Sequence, residues 1–200
     1  MRIHPVGATA LLIECPADEV EAWRAELWRR RSAGSLSVAE IVPGARTVLL
    51  DGVDPLAADL IMSWAPPPAV GAASGDLVEI PTVYDGPDLS SVAALWSLPV
   101  PAVISRLAST TFRVAFCGFA PGFGYLTGLP AALSVPRLAT PRTSVPPGSV
   151  GLAGPYAGIY PTASPGGWQL VGRTSVTLFD VSRDPPALLV PGTVVRLVAA

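Results

Sequence analysis

The sequence predicts an α+β protein in two parts, a small N-terminal α/β domain followed by a compact C-terminal β-barrel. Three observations carry that expectation. Capped helical patterns alternate with short apolar strands in the first third of the chain; the proline-rich "APPPAVGAASGD" then interrupts them; and residues 118–172 hold eleven glycines and nine prolines among aromatic and branched side chains. Breakers interleaved with large apolar residues fit short strands and tight turns better than disorder, whose segments lack such residues. The domains are placed at 1–66 and 77–200, with 67–76 as a linker.

The elements follow in order. Ala10 to Glu14 read as a strand. Asp18 is expected to cap a helix, with Glu21 completing a capping box, and Val20, Trp23, Leu27 and Trp28 fall on one face. Glu26 and Arg30, at i and i+4 opposite, read as a solvated surface, and Gly34 as the stop. A strand at Thr47 to Leu50 precedes a second helix with Asp54 as cap, Pro55 at its first position and Leu56, Leu60 and Trp64 spaced by four. In the second part, "LVEIPTVY" reads as a strand and "DLSSVAALWSL" and "PAVISRLAS" as short helices. "FRVAFCGF" alternates with the period of a half-buried strand, and "SVTLFDVS" and "TVVRLVAA" supply the closing strands.

Composition removes several chemistries. The chain has no lysine and no asparagine, one histidine (His4) and one glutamine (Gln169). A P-loop or Schiff-base lysine is therefore impossible, a Ser-His or Cys-His pair would have to use His4, and no cluster of histidine and cysteine offers a metal site. Cys15 and Cys117 read as packed thiols. The uncharged run from Val114 to Pro136 contains four glycines and three prolines and lacks flanking basic clusters, which argues against a membrane span. No leader pattern is visible near the N-terminus, and the expected location is the cytoplasm. A formal net charge of −2 argues against nucleic acid as a partner.

The charges are unevenly placed. Thirteen of the fifteen acids lie at or before Asp88, and from Leu89 to Phe179 there is no acid, only Arg106, Arg113, Arg137, Arg142 and Arg173. Such a span suits a small anionic ligand or an acidic partner surface, or else holds ordinary surface arginines.

The motifs "FCGFAPGFGYLTGLP", "PRLATPRTSVPPGSVGLAGPYAGIYPTASPGGWQLVGRT", "LFDVSRDPPALLVPGTVVRL" and "GPDLSSVA" resemble those of the 5-oxoprolinase B-subunit family. That family includes chains labelled allophanate hydrolase subunit 1, an inhibitor of a sporulation kinase, and part of the carboxyltransferase domain of urea carboxylase. The resemblance is specific from about residue 77 onward; before that it rests on "GATALLIE" and "EIVPGARTVLLDG". It implies an N-terminal α/β domain with a cyclophilin-like barrel, working beside a C subunit that has a related barrel, and with an A subunit. Together these open 5-oxoproline (pyroglutamate) to L-glutamate at the expense of ATP, bound somewhere in the complex. Two alternatives belong to the same resemblance: inhibition of a sensor histidine kinase, and half of a urea-type carboxyltransferase or allophanate hydrolase system, for which another chain would have to carry biotin. The chain departs from the family's common His-Thr pair at "RLAST" and from "QTGIYP" at "YAGIYP", so roles tied to that histidine or glutamine do not transfer.

No catalytic residue is assigned from the sequence. Arg142 and Arg173 are candidates for binding a carboxylate or phosphate, since each offers a bidentate fork amid glycine-rich backbone, and Gln169 for reading a lactam amide. The alternative is that Gln169 and Arg173 tie barrel loops together. Phe119, Pro121, Phe123 and Tyr125 are expected to wall the site or face a partner, with buried core as the competing account. Asp88 reads as a helix cap, and Thr143 and Ser149 as turn residues.

Overall fold

In the computed structural model, which describes residues 1–65 and 77–200, the chain divides into two compact units whose boundary falls within the undescribed stretch. The linker expected at 67–76 lies outside the described residues.

In the first unit, β1 (Arg2–Val6), β2 (Ala10–Glu14), β3 (Glu40–Pro43) and β4 (Thr47–Asp51) form an antiparallel sheet in the order β1-β2-β4-β3. The helix α1 (Val20–Ser32) packs Val20, Trp23 and Leu27 with Leu11, Ile13 and Val48. Trp28, placed on that face by its spacing, is 41% exposed and lies under Arg31. The expected Asp18 cap does not form. A backbone turn, Glu19 N–H to Pro16 C=O at 3.0 Å, leads into the helix with Glu19 in helical conformation at the cap position and no side-chain cap. Glu21 binds Arg24 at 2.6 Å instead of closing a capping box. Glu26 is buried rather than solvated: Arg29 and Arg30 clamp its carboxylate and hold its pKa down to about 2.

Asp54 caps as expected, accepting the Leu56 N–H at 2.9 Å. The turn it opens is 3₁₀ over Pro55–Ala57 before α2 (Ala58–Met62) begins. This change of period rotates the buried face, so Ile61 and Trp64 are packed while Leu56 and Leu60 face solvent.

The second unit contains β5 (Leu77–Thr82), α3 (Leu89–Trp96), α4 (Val100–Ser109), β6 (Phe112–Cys117) and β7 (Gly124–Thr127). These are followed by β8 (Arg142–Val145), β9 (Ser149–Ala153), β10 (Tyr156–Ile159), β11 (Ser164–Gly166), β12 (Gln169–Arg173) and β13 (Val194–Ala199). Seven strands form one sheet in the order β12-β9-β10-β7-β6-β13-β5, and β8 and β11 pair as a separate ribbon. The barrel expected from the sequence is thus present and nearly closed. "SVTLFDVS" does not supply a closing strand. Leu178 and Asp180 bond to the loop that follows them, at Leu188 and Pro186, and only Phe179 makes an isolated bridge, to Ala187. The other expected strand, "TVVRLVAA", forms as β13, parallel to β5 and antiparallel to β6. No single helix among the described residues is long and apolar enough to cross a membrane.

The two ends of the seven-stranded order meet. Val83, just beyond β5, exchanges both backbone hydrogen bonds with Arg173 of β12 at 2.9 Å, and the Asp88 N–H reaches the Leu170 carbonyl at 3.0 Å. Asp88 sits at the cap position of α3, yet its carboxylate caps nothing. It accepts the Leu170 N–H at 2.6 Å and the Arg142 guanidinium at 2.7 Å. Gly86 runs so close to β12 that a Cβ there would collide with the Leu170 carbonyl oxygen and the Val171 carbonyl carbon.

Gly86→Ala is therefore expected to cost about 2–3 kcal/mol or more, because only backbone movement would relieve the overlap. At Gly118 the nearest atom to an added Cβ is a Tyr125 ring carbon at 3.8 Å, and Gly118→Ala should stay within about 0.5 kcal/mol of wild type. Urea unfolding of both variants checks the difference.

Candidate functional site

The loop 118–123 leaves β6 and turns back into β7, with the Gly118 N–H bonded to the Phe123 carbonyl at 3.2 Å and the Phe123 N–H to the Ala120 carbonyl at 3.0 Å. The turn forces Phe119 to a φ of 69°, a left-handed conformation that bulky residues seldom hold. Its ring is 59% exposed and stands at the rim of a cleft of about 740 Å³. Phe123, Tyr125, Tyr156, Tyr160 and Trp168 supply further aromatic lining.

These rings form a continuous edge-to-face set. Phe123 lies 5.0 Å from Tyr125, 5.5 Å from Tyr160 and 5.4 Å from Trp168, centroid to centroid. Glycines make the packing possible. A Cβ at Gly158 would stand 2.8 Å from Phe123 and 3.0 Å from Trp168, and one at Gly166 would overlap the Tyr160 hydroxyl. With Val145, Ala153 and Leu170, the buried rings Phe123, Tyr160 and Trp168 make a small core of their own beneath the cleft.

Burial pushes the Tyr160 hydroxyl pKa up, against the opposing pull of the Trp168 backbone and the Arg137 and Arg142 charges. Burial also raises that of Tyr156, and Tyr125 adds to the effect. Both are neutral donors at pH 7. Among the described residues, the lining holds no carboxylate, histidine, cysteine or lysine, and its one charged residue is Arg137.

Of the residues singled out in the sequence, Phe119, Phe123 and Tyr125 converge on this cleft, whereas Pro121 is exposed in the same loop and does not line it. Arg142 and Arg173 come together elsewhere, along a second cleft of about 400 Å³ that also contains Asp85 and Ser149. There Arg142 is paired with Asp88 at 2.7 Å and also reaches the Trp168 carbonyl at 3.3 Å; Arg173 is paired with Asp85 at 2.9 Å. Ser149 Oγ donates to the Pro146 carbonyl at 2.7 Å. Gln169 lines neither cleft; its Nε2 donates to the Pro136 carbonyl at 3.3 Å, and its buried Oε1 has no partner among the described residues. Cys117 is half-buried, its thiol pKa raised by burial. No group of three or more His, Cys, Asp or Glu residues among those described is placed to hold a metal ion.

Sequence reading did not place Arg137, Tyr156, Tyr160 and Trp168 at this cleft, which all four line. A signal for the rings was present: "GIY" and "GGW" each set an aromatic beside glycine, as "PGFGY" does.

The family model for the carboxyltransferase domain, subdomain C and D, matches residues 1–189. The B subunit of the Escherichia coli 5-oxoprolinase is 42% identical over 98% of this chain and 95% of its own length. The chain belongs to the 5-oxoprolinase B-subunit family. Among solved structures, TTHA0988 superposes with a TM-score of 0.77 at 33% identity; the match covers 96% of this chain and 40% of that longer one. The urea carboxylase of Kluyveromyces lactis, at 19% identity and a TM-score of 0.73, covers 99% of this chain with 21% of its own and shares the fold.

Phe119 and Phe123 differ in what they contribute. Phe123 is 1% exposed, and Phe123→Ala should cost about 3–5 kcal/mol. Phe119→Gly removes contacts with Phe123 and Tyr160 but also relieves the left-handed strain, so its stability should stay within about 1 kcal/mol of wild type. Thermal or urea unfolding of the pair measures this.

Proposed function

We propose that this chain is a non-autonomous subunit of an ATP-dependent 5-oxoprolinase complex, which opens 5-oxoproline to L-glutamate. It acts in the cytoplasm with a paired C subunit on a related barrel and with an A subunit. Its similarity to the B subunit of the Escherichia coli 5-oxoprolinase over nearly the full length of both chains carries the reading.

The cleft's chemistry agrees with a division of labour. Opening an unstrained lactam at neutral pH requires activation of the amide oxygen and then a water molecule. The aromatic lining with Arg137 can hold a small anion in a partly dry setting, but it contains no general base and no activated nucleophile. Those groups come from another chain. ATP is assigned to the complex as a whole; the sequence has no phosphate loop that would mark a site in this chain.

The test is ADP release dependent on 5-oxoproline, measured for the purified chain and for its mixture with the A and C subunits. Turnover in the mixture and none from the chain alone is expected. Turnover by the chain alone, or none in the mixture, contradicts the proposal.

A further inference from the structure

Arg137 is one of five arginines in the acid-free span, with nothing in the sequence to set it apart. The structure distinguishes it. Arg142 and Arg173 are each paired with an aspartate, whereas Arg137 has no ion-pair partner among the described residues. Arg137 also lines the aromatic cleft, and its charge acts on the Tyr160 hydroxyl.

The short segment carrying Arg137 is pinned on both sides, although it is not part of a long strand. Val135 exchanges backbone hydrogen bonds with Gly154, at 2.7 and 3.3 Å. The buried Gln169 side chain donates to the Pro136 carbonyl at 3.3 Å, and the Leu138 N–H reaches the Gly167 carbonyl at 2.7 Å. Here three successive anchors fix the Cα from which the guanidinium reaches the cleft, which lowers the ordering cost of gripping an anion.

We infer that the cleft binds a small cyclic amide bearing a carboxylate, with Arg137 as the carboxylate anchor and the Phe119, Tyr125 and Tyr156 rings, the accessible ones of the lining, against the ring of the ligand. The inference rests on the proposed function and identifies that substrate's site within this chain. A guanidinium matches a carboxylate bidentately. The aromatic walls accept a compact, largely apolar ring, and the neutral tyrosine hydroxyls supply donors for an amide oxygen. Among the described residues the cleft has no acid to repel the carboxylate. Gln169 acts through the Pro136 carbonyl as a positioning residue.

The test uses the reconstituted complex with 5-oxoproline as substrate and 2-pyrrolidone, the same lactam without its carboxylate, as competitor. Arg137→Ala should raise KM for 5-oxoproline roughly 10- to 100-fold, with a smaller change in kcat, and Arg137→Lys should recover part of the loss. Inhibition by 2-pyrrolidone should change less than about threefold in Arg137→Ala, since that ligand lacks the group Arg137 binds. An unchanged KM in an assembled, active Arg137→Ala complex overturns the inference and leaves the proposed function standing. So does a loss of affinity equally large for both lactams. A wild-type complex that does not turn over 5-oxoproline removes the proposed function, and this inference with it.

Discussion

The second unit depends on one seam. A sheet that curls into a barrel leaves two edges of unpaired backbone unless they meet. Here they meet where the segment after β5 runs beside β12, through the paired amides of Val83 and Arg173. Asp88 reinforces the junction with a buried carboxylate that takes one backbone N–H from β12 and one guanidinium from β8. Arg142 keeps partial contact with solvent, so the loss of Asp88, which also leaves the buried Leu170 N–H without its acceptor, is the more damaging of the two removals. The glycine at position 86 is required by the same closeness.

The seam also explains the lopsided charge of the sequence. Asp85 and Asp88 are the last acids before the acid-free span, and each neutralises an arginine from within it, Arg173 and Arg142 respectively. The structure thereby withdraws two of the five cations into the barrel's own joinery and leaves Arg137 at the aromatic cleft. Leu170, fixed by Asp88, lies two residues beyond Trp168 and one beyond Gln169. The strand that closes the barrel therefore also sets one ring of the cleft and the side chain that steadies the Arg137 segment. Closure and site are one construction.

Local patterns were legible in the sequence and distant pairings were not. The strand at Ala10 to Glu14, the Asp54 cap and the ring wall of "GFAPGFGYLTGLP" follow from periodicity, turn chemistry and composition within a few residues. The edge strand β1 escaped because its side chains are mostly exposed and give little alternation to read, and the edge strand β3 because its alternation spans only four residues and ends in a proline. Asp88 resembled a cap because it precedes a helix, but its partners lie 54 and 82 residues away. Glu26 looked solvated because its neighbours on the helix are charged, and those same neighbours allow it to be buried. Arg137 carries no local mark at all. Its place in the cleft lining, the pairing of Arg142 and Arg173 with aspartates and the anchoring of its backbone single it out.

The central claim is that a pre-formed aromatic cleft in this chain receives the substrate by its carboxylate, while the reactive groups come from a partner. A crystal structure of the assembled complex with 5-oxoproline, in the absence of ATP, tests it most directly. The account predicts the lactam ring against Tyr125 and Tyr156, its carboxylate on Arg137, and partner residues facing its amide. A lactam seated between Arg142 and Arg173, or held wholly by another protein of the complex, would contradict it.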